Sequence, residues 1–84
     1  VTNRHPSVDA VTKYLDEIAH LPDSLFNIAN HCKTLMHLML AELEDDPELT
    51  AGFRKLLEAK DCFVRAAVAQ ENRRKGIQNE GTPL

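Results

Sequence analysis

At 84 residues the chain is sized for one small domain. A domain of this length buries only about 60–65% of its unfolded surface, so self-association is expected to add burial. Apolar residues make up 43% and charged residues 27%, a balance that excludes a disordered polymer. The formal net charge of -3 and the pI of about 5.7 argue against broad attraction to duplex DNA, though not against local basic pockets. The two cysteines, Cys32 and Cys62, lack paired metal-ligand spacing, which suits a reduced intracellular protein. No apolar run is long enough for a membrane span, and "VTNRHPS" has no signal-peptide core. A cytoplasmic location is therefore expected.

Three helices are predicted in one domain over residues 1–84, at about 7–20, 23–45 and 47–75. The fold class is all-α: a short N-terminal helix plus a long antiparallel αα-hairpin, assembled as a homo-oligomer. In the first helix Ser7 is the expected N-cap. Val8, Val11, Leu15, Ile18 and Ala19 recur at helical spacing, with Tyr14 at the stripe's edge. Pro22 stops the helix, because it lacks an N–H and restricts Leu21 before it. In the second helix, Leu25, Ile28, Ala29, Cys32, Leu35, Met36, Met39 and Leu43 form a near-heptad stripe. Phe26 and Leu38 lie off that stripe and suggest a contact on a second face. In "EDDPEL", Asp46 is a good N-cap, Pro47 suits the first helical position, and Glu48 favours the positive helix end. The third stripe is Leu49, Phe53, Leu56, Leu57, Phe63, Val64 and Ala67. The closing "GIQNEGTPL", residues 76–84, reads as a frayed tail.

Lys60 interrupts the third stripe, falling about 20° from Phe53 on the helical wheel. An unpaired ammonium is too costly to bury. Three placements stay open: snorkelling, pairing with a carboxylate on another helix, or facing an anion pocket. Arg54, Asp61 and Arg65 share one flank, with Glu58 nearby. They suit a solvated face with Arg54–Glu58 and Asp61–Arg65 pairs, or a set of cations that meets phosphates across a protomer boundary.

Catalysis finds little support. His5, His20, His31 and His37 form no usual zinc spacing, and His20 is expected to cap the first helix. Cys32 lies on an apolar stripe as a small hydrophobe. No glycine-rich phosphate loop or nucleophile motif occurs. Tyr14 is the one tyrosine, suited to packing at the core edge or to stacking a base.

The stretch "PELTAGFRKLLEAKDCFVRAAVA" resembles the C-terminal hairpin helix of small phage anti-defence proteins, the cyclic-nucleotide sponges that blunt CBASS and Thoeris signalling. Glu48, Lys55, Leu56, Glu58 and Ala59 match the family pattern, and Thr50 replaces its serine. Pro47 and Arg54 depart from it, standing where the family has arginine and threonine. Most of the chain also resembles a type of short actinobacteriophage protein. That likeness runs through His5-Pro6, His20-Leu21-Pro22, Glu48-Leu49-Thr50, residues 54–61 and Val64-Arg65-Ala66. The resemblance implies a homo-oligomer, often a hexamer, in the host cytoplasm. It would hold cyclic di- or trinucleotides, or cyclic ADP-ribose isomers, at protomer interfaces without cleaving them. It points first to Lys55, then Thr50, with Tyr14 against a base. With the basic flank added, the expected ligand contacts are Tyr14, Thr50, Arg54, Lys55, Lys60 and Arg65. No enzyme activity, cofactor, metal, duplex DNA or membrane is expected. The alternative is a small helical oligomer acting through protein contact with a host or phage partner.

Overall fold

The computed structural model describes residues 4–76, which form three helices in chain order: α1 (Pro6–Asp16), α2 (Asp23–Glu42) and α3 (Pro47–Arg74). The tail expected over residues 76–84 lies outside the described residues from residue 77 onward; Gly76 itself sits in a turn with φ of 78°. No described helix is long and apolar enough to cross a membrane.

The α2–α3 hairpin is antiparallel. Residues early in α2, such as Ser24 and Ile28, share a hollow with Ala67 and Phe63 late in α3. Met39 and Leu43 share another with Leu49 and Phe53 near the start of α3. The turn uses the expected chemistry: Asp46 Oδ2 accepts from the Glu48 N–H at 2.7 Å, and Pro47 starts the helix. α1 lies along one side of this hairpin, parallel to α3. Ser7 meets Thr50 at one end and Tyr14 meets Lys60 at the other. Arg4, just before α1, donates to the Leu40 and Leu43 carbonyls at the end of α2.

The core gathers where α1 covers the hairpin. Val8, Val11, Leu15, Cys32, Met36, Leu49 and Phe53 form one buried cluster. Fully burying an aliphatic or aromatic side chain of this kind contributes roughly 1.5–3 kcal/mol before entropy is counted. Past Phe53, α3 has no fully buried residue. An 11-residue α1 spans about 17 Å, whereas the 28 residues of α3 span about 42 Å. The molecule is correspondingly long, 48 × 23 × 18 Å, with a radius of gyration of 15.3 Å where a compact chain of this length would have about 12 Å.

α1 differs from its expected bounds. Its N-cap is His5, whose Nδ1 accepts from the Ser7 N–H at 3.1 Å, rather than Ser7. It ends at Asp16, four residues before the expected His20. Ile18 leaves the helix to become fully buried, its N–H turning back to the Asp16 carbonyl, and the chain must reverse before Pro22. Ala19, placed on the apolar stripe by spacing, is exposed beyond the helix end. α2 ends at Glu42, three residues short of the expected Asp45, where Leu43 turns extended.

Candidate functional site

The six residues expected to hold a ligand spread over three surfaces. The first is a hollow of about 380 Å³ where α1 and α3 both begin, lined by His5, Ser7, Thr50 and Arg54 with Asp45 and Asp46. Two helix N-termini converge here, which favours negative charge. Their orphan N–H groups already have partners. The Ser7 N–H needs the lone pair of His5 Nδ1, so the Ser7 hydroxyl, 2.9 Å away, donates to that same nitrogen. Ser7 Oγ then accepts from the Thr50 hydroxyl at 3.2 Å. Thr50 is buried, and its proton is committed to this chain. Asp45 accepts from the His5 N–H at 2.5 Å and from Arg4 at 2.6 Å. The Arg4 and His5 hydrogen bonds hold its carboxyl below the usual carboxylate range. Arg54 is exposed at the hollow's edge and makes no ion pair among the described residues.

The second surface lies where α1 ends against the middle of α3. Lys60 Nζ donates to the Tyr14 carbonyl at 3.3 Å, and Lys33 Nζ donates to the Asp16 carbonyl at 3.4 Å. Both carbonyls accept from a cation at the negative end of α1, where a positive charge is favoured. These two lysines occupy the capping role expected of His20, which is exposed beyond the helix end. None of the three open placements named the partner Lys60 takes, a backbone carbonyl at the end of α1, with a carboxylate of its own helix nearby. Its stem covers the core, its side chain is only 13% exposed, and Asp61 lies 3.7 Å from its ammonium. The same ammonium partly offsets the burial that pushes the Cys32 thiol up. Arg65 lines a hollow of about 290 Å³ with Lys60, Glu17 and His20, and donates to Cys62 Sγ at 3.3 Å. The expected Arg54–Glu58 and Asp61–Arg65 ion pairs do not form among the described residues. Tyr14 is 57% exposed.

The third surface is the hairpin seam that α1 leaves open. Lys55 is exposed here, beside Leu35, Met39, Leu43 and Leu56, on a hollow of about 630 Å³. A second hollow of about 750 Å³ continues along the seam past Phe63 to Arg74. Leu35 and Leu56 line both, so they form one trough. Leu35, Leu43 and Phe63 in this trough are 44%, 48% and 55% exposed. Sequence reading assigned these three to core stripes. Phe63 lies beyond the reach of the short first helix, whereas Leu35 and Leu43 lie level with α1 on the face of the hairpin that α1 does not occupy.

Arg54 and Lys55 are neighbours in sequence but open onto different surfaces, one beside α1 and one on the trough. Lys60 and Arg65 stand about three turns further along α3 than Thr50 and Arg54. No cluster of three or more metal-ligating side chains gathers among the described residues. No buried side-chain polar atom lacks a partner among them. No family model matches the chain, and neither curated proteins nor solved structures give a match.

Proposed function

We propose that this chain binds and sequesters a cyclic nucleotide immune signal without cleaving it, as a homo-oligomer of the sponge type its hairpin resembles. The observation that carries the reading is the pair of exposed cations Arg54 and Lys55 at the mouths of two open hollows, neither held by an ion pair among the described residues. A ligand with two phosphates needs few donors, a stacking surface and shelter from water. A symmetric assembly supplies each donor twice. In this reading Arg54 and Lys55 meet phosphates, and exposed Tyr14 offers a stacking face. Arg65 adds charge at the boundary. Thr50 and Lys60 act indirectly, fixing the α1–α3 junction beside the ligand.

Thermal unfolding against cyclic di- and trinucleotides and cyclic ADP-ribose isomers tests this. A ligand at ~100 times its dissociation constant adds about 2.7 kcal/mol and raises the midpoint by about 10 °C or more. Arg54→Glu or Lys55→Glu removes that shift while leaving the helical fold. Affinity intact in both variants takes these residues out of the site, and turnover to a linear product contradicts sequestration.

A second reading, protein contact, has its own support in the exposed apolar residues Leu35, Leu38 and Phe63. It predicts no small-molecule shift and a specific host or phage protein bound at this surface.

A further inference from the structure

We infer that the open α2–α3 trough is covered by a second copy of this chain, docked antiparallel about a two-fold axis near the trough's middle. The inference rests on the homo-oligomeric part of the reading above and not on its ligand.

Continuity comes first. Leu35 and Leu56 line both hollows, so a single apolar trough runs from Arg74 at one end to Glu48 at the other. It is formed by α2 and α3 alone, with α1 on another side of the hairpin. Soluble chains seldom leave a contiguous apolar strip of this extent open.

Charge selects the partner and its direction. The turn pole carries Glu42, Glu44, Asp45, Asp46 and Glu48 with Lys55 beside them, and the opposite pole carries Arg73, Arg74 and Lys75 with Asp23 and Glu71, of which Glu71 lies 3.8 Å from Lys75. The dipole of α3 accounts for Asp46 and Glu48 near its start and for the basic residues at its end. It does not account for Glu42 and Glu44. These stand at the C-terminal end of α2, where negative charge is disfavoured and the last turn has no basic residue. Arg4 ion-pairs with Asp45 and caps the Leu40 and Leu43 carbonyls, and Glu42 and Glu44 make no ion pair among the described residues. An antiparallel second copy sets its basic pole against these carboxylates, and a two-fold axis makes that match at both ends at once.

Register agrees. Along the antiparallel hairpin Leu35 is level with Leu56, while Phe63 is level with Ile28, about two turns away. A two-fold axis midway between those levels carries each Phe63 onto the partner's Leu35 and Leu56. The two most exposed groups near the trough's centre then fill each other's hollows. A head-to-tail arrangement would set unlike surfaces together and give a ring or an open filament, without matching both poles in a single pair.

Sedimentation velocity of the full chain over a range of concentrations tests the interface. The expected species is a dimer or an even multiple of it. Phe63→Glu and Leu35→Glu each raise the dissociation constant on the order of 100-fold, since a charge then sits at the centre of a desolvated contact. Their far-UV circular dichroism stays that of the parent, because both side chains are about half exposed in the single chain. Glu44→Lys with Glu48→Lys weakens assembly, and adding Arg73→Glu with Arg74→Glu restores it. This charge exchange decides the matter even if a trough variant fails to fold. A monomer at every concentration, open-ended growth, or assembly indifferent to both trough variants and the charge exchange overturns the interface. A monomer that still gains thermal stability from a cyclic nucleotide sinks the interface and leaves ligand capture standing.

Discussion

The half of the hairpin next to its turn and the half away from it are built from similar stripes but end in different states. Near the turn, α1 lies against one face of the hairpin, where Leu15, Met36 and Phe53 are almost wholly buried, while Leu35 and Leu43 on the other face stay about half exposed. Away from it, two helices stand without a third, and Phe63 and Val68 are 55% and 41% exposed. Leu35 and Phe63 obey the same helical spacing as Met36 and Phe53. Periodicity specifies which face of a helix is apolar; it does not specify whether anything in the same chain is long enough to cover it.

The comparison breaks most clearly through paired truncations. Phe53→Ala should lose about 3–5 kcal/mol, the usual cost of emptying a core aromatic site. Phe63→Ala should change the stability of the single chain by less than about 0.5 kcal/mol, as exposed substitutions do. Chemical denaturation at a concentration where the chain is monomeric reads both. Similar losses at the two positions would erase the distinction between the halves.

The next effects concern the devices that hold the closed half together. Asp46→Ala removes the cap of α3 and should cost about 1 kcal/mol, recovered in part by Asp46→Asn. Lys60→Met keeps the apolar stem and deletes the cation at the end of α1. The expected loss is again about 1 kcal/mol, with faster amide exchange confined to residues 11–18. An unchanged exchange pattern there would show that α1 does not depend on Lys60 for its anchoring.

The smallest effect is one of pH. Asp45 has its carboxyl held low by Arg4 and the His5 N–H, so it binds protons less readily folded than unfolded. The stabilisation from that contact is therefore present above about pH 4 and lost as pH falls through the lower folded value. Comparing the parent with Asp45→Asn, the gap in urea midpoints seen at pH 7 should hold down to about pH 4 and shrink as the pH is lowered further through the folded value. A gap that stays constant across that range would detach the contact from the carboxylate's charge.

Much of the fold was legible in the residues. The α3 cap and first position at Asp46 and Pro47, the short turn and the α2–α3 pairing follow from local rules that tertiary context did not override. α1 was harder, because its end depends on where Ile18 must go and on which distant side chains reach its carbonyls. Lys33 and Lys60 do so across the fold, and spacing along one helix cannot show that. The candidate site was the least legible part. Helical wheels group Arg54 with Arg65 on one flank, yet they open onto separate hollows, and adjacent Arg54 and Lys55 part to different faces. The trough left no motif at all; the difference in helix lengths accounts only for its far end, past Lys60.

The most direct test of the contrast between the halves is amide hydrogen exchange followed segment by segment over a dilution series. The account predicts that residues 23–31 and 60–74 lose protection as the protein is diluted through its dissociation constant, while residues 8–15, 36–40 and 49–57 keep theirs. Protection that is equal in both halves and indifferent to concentration would contradict it.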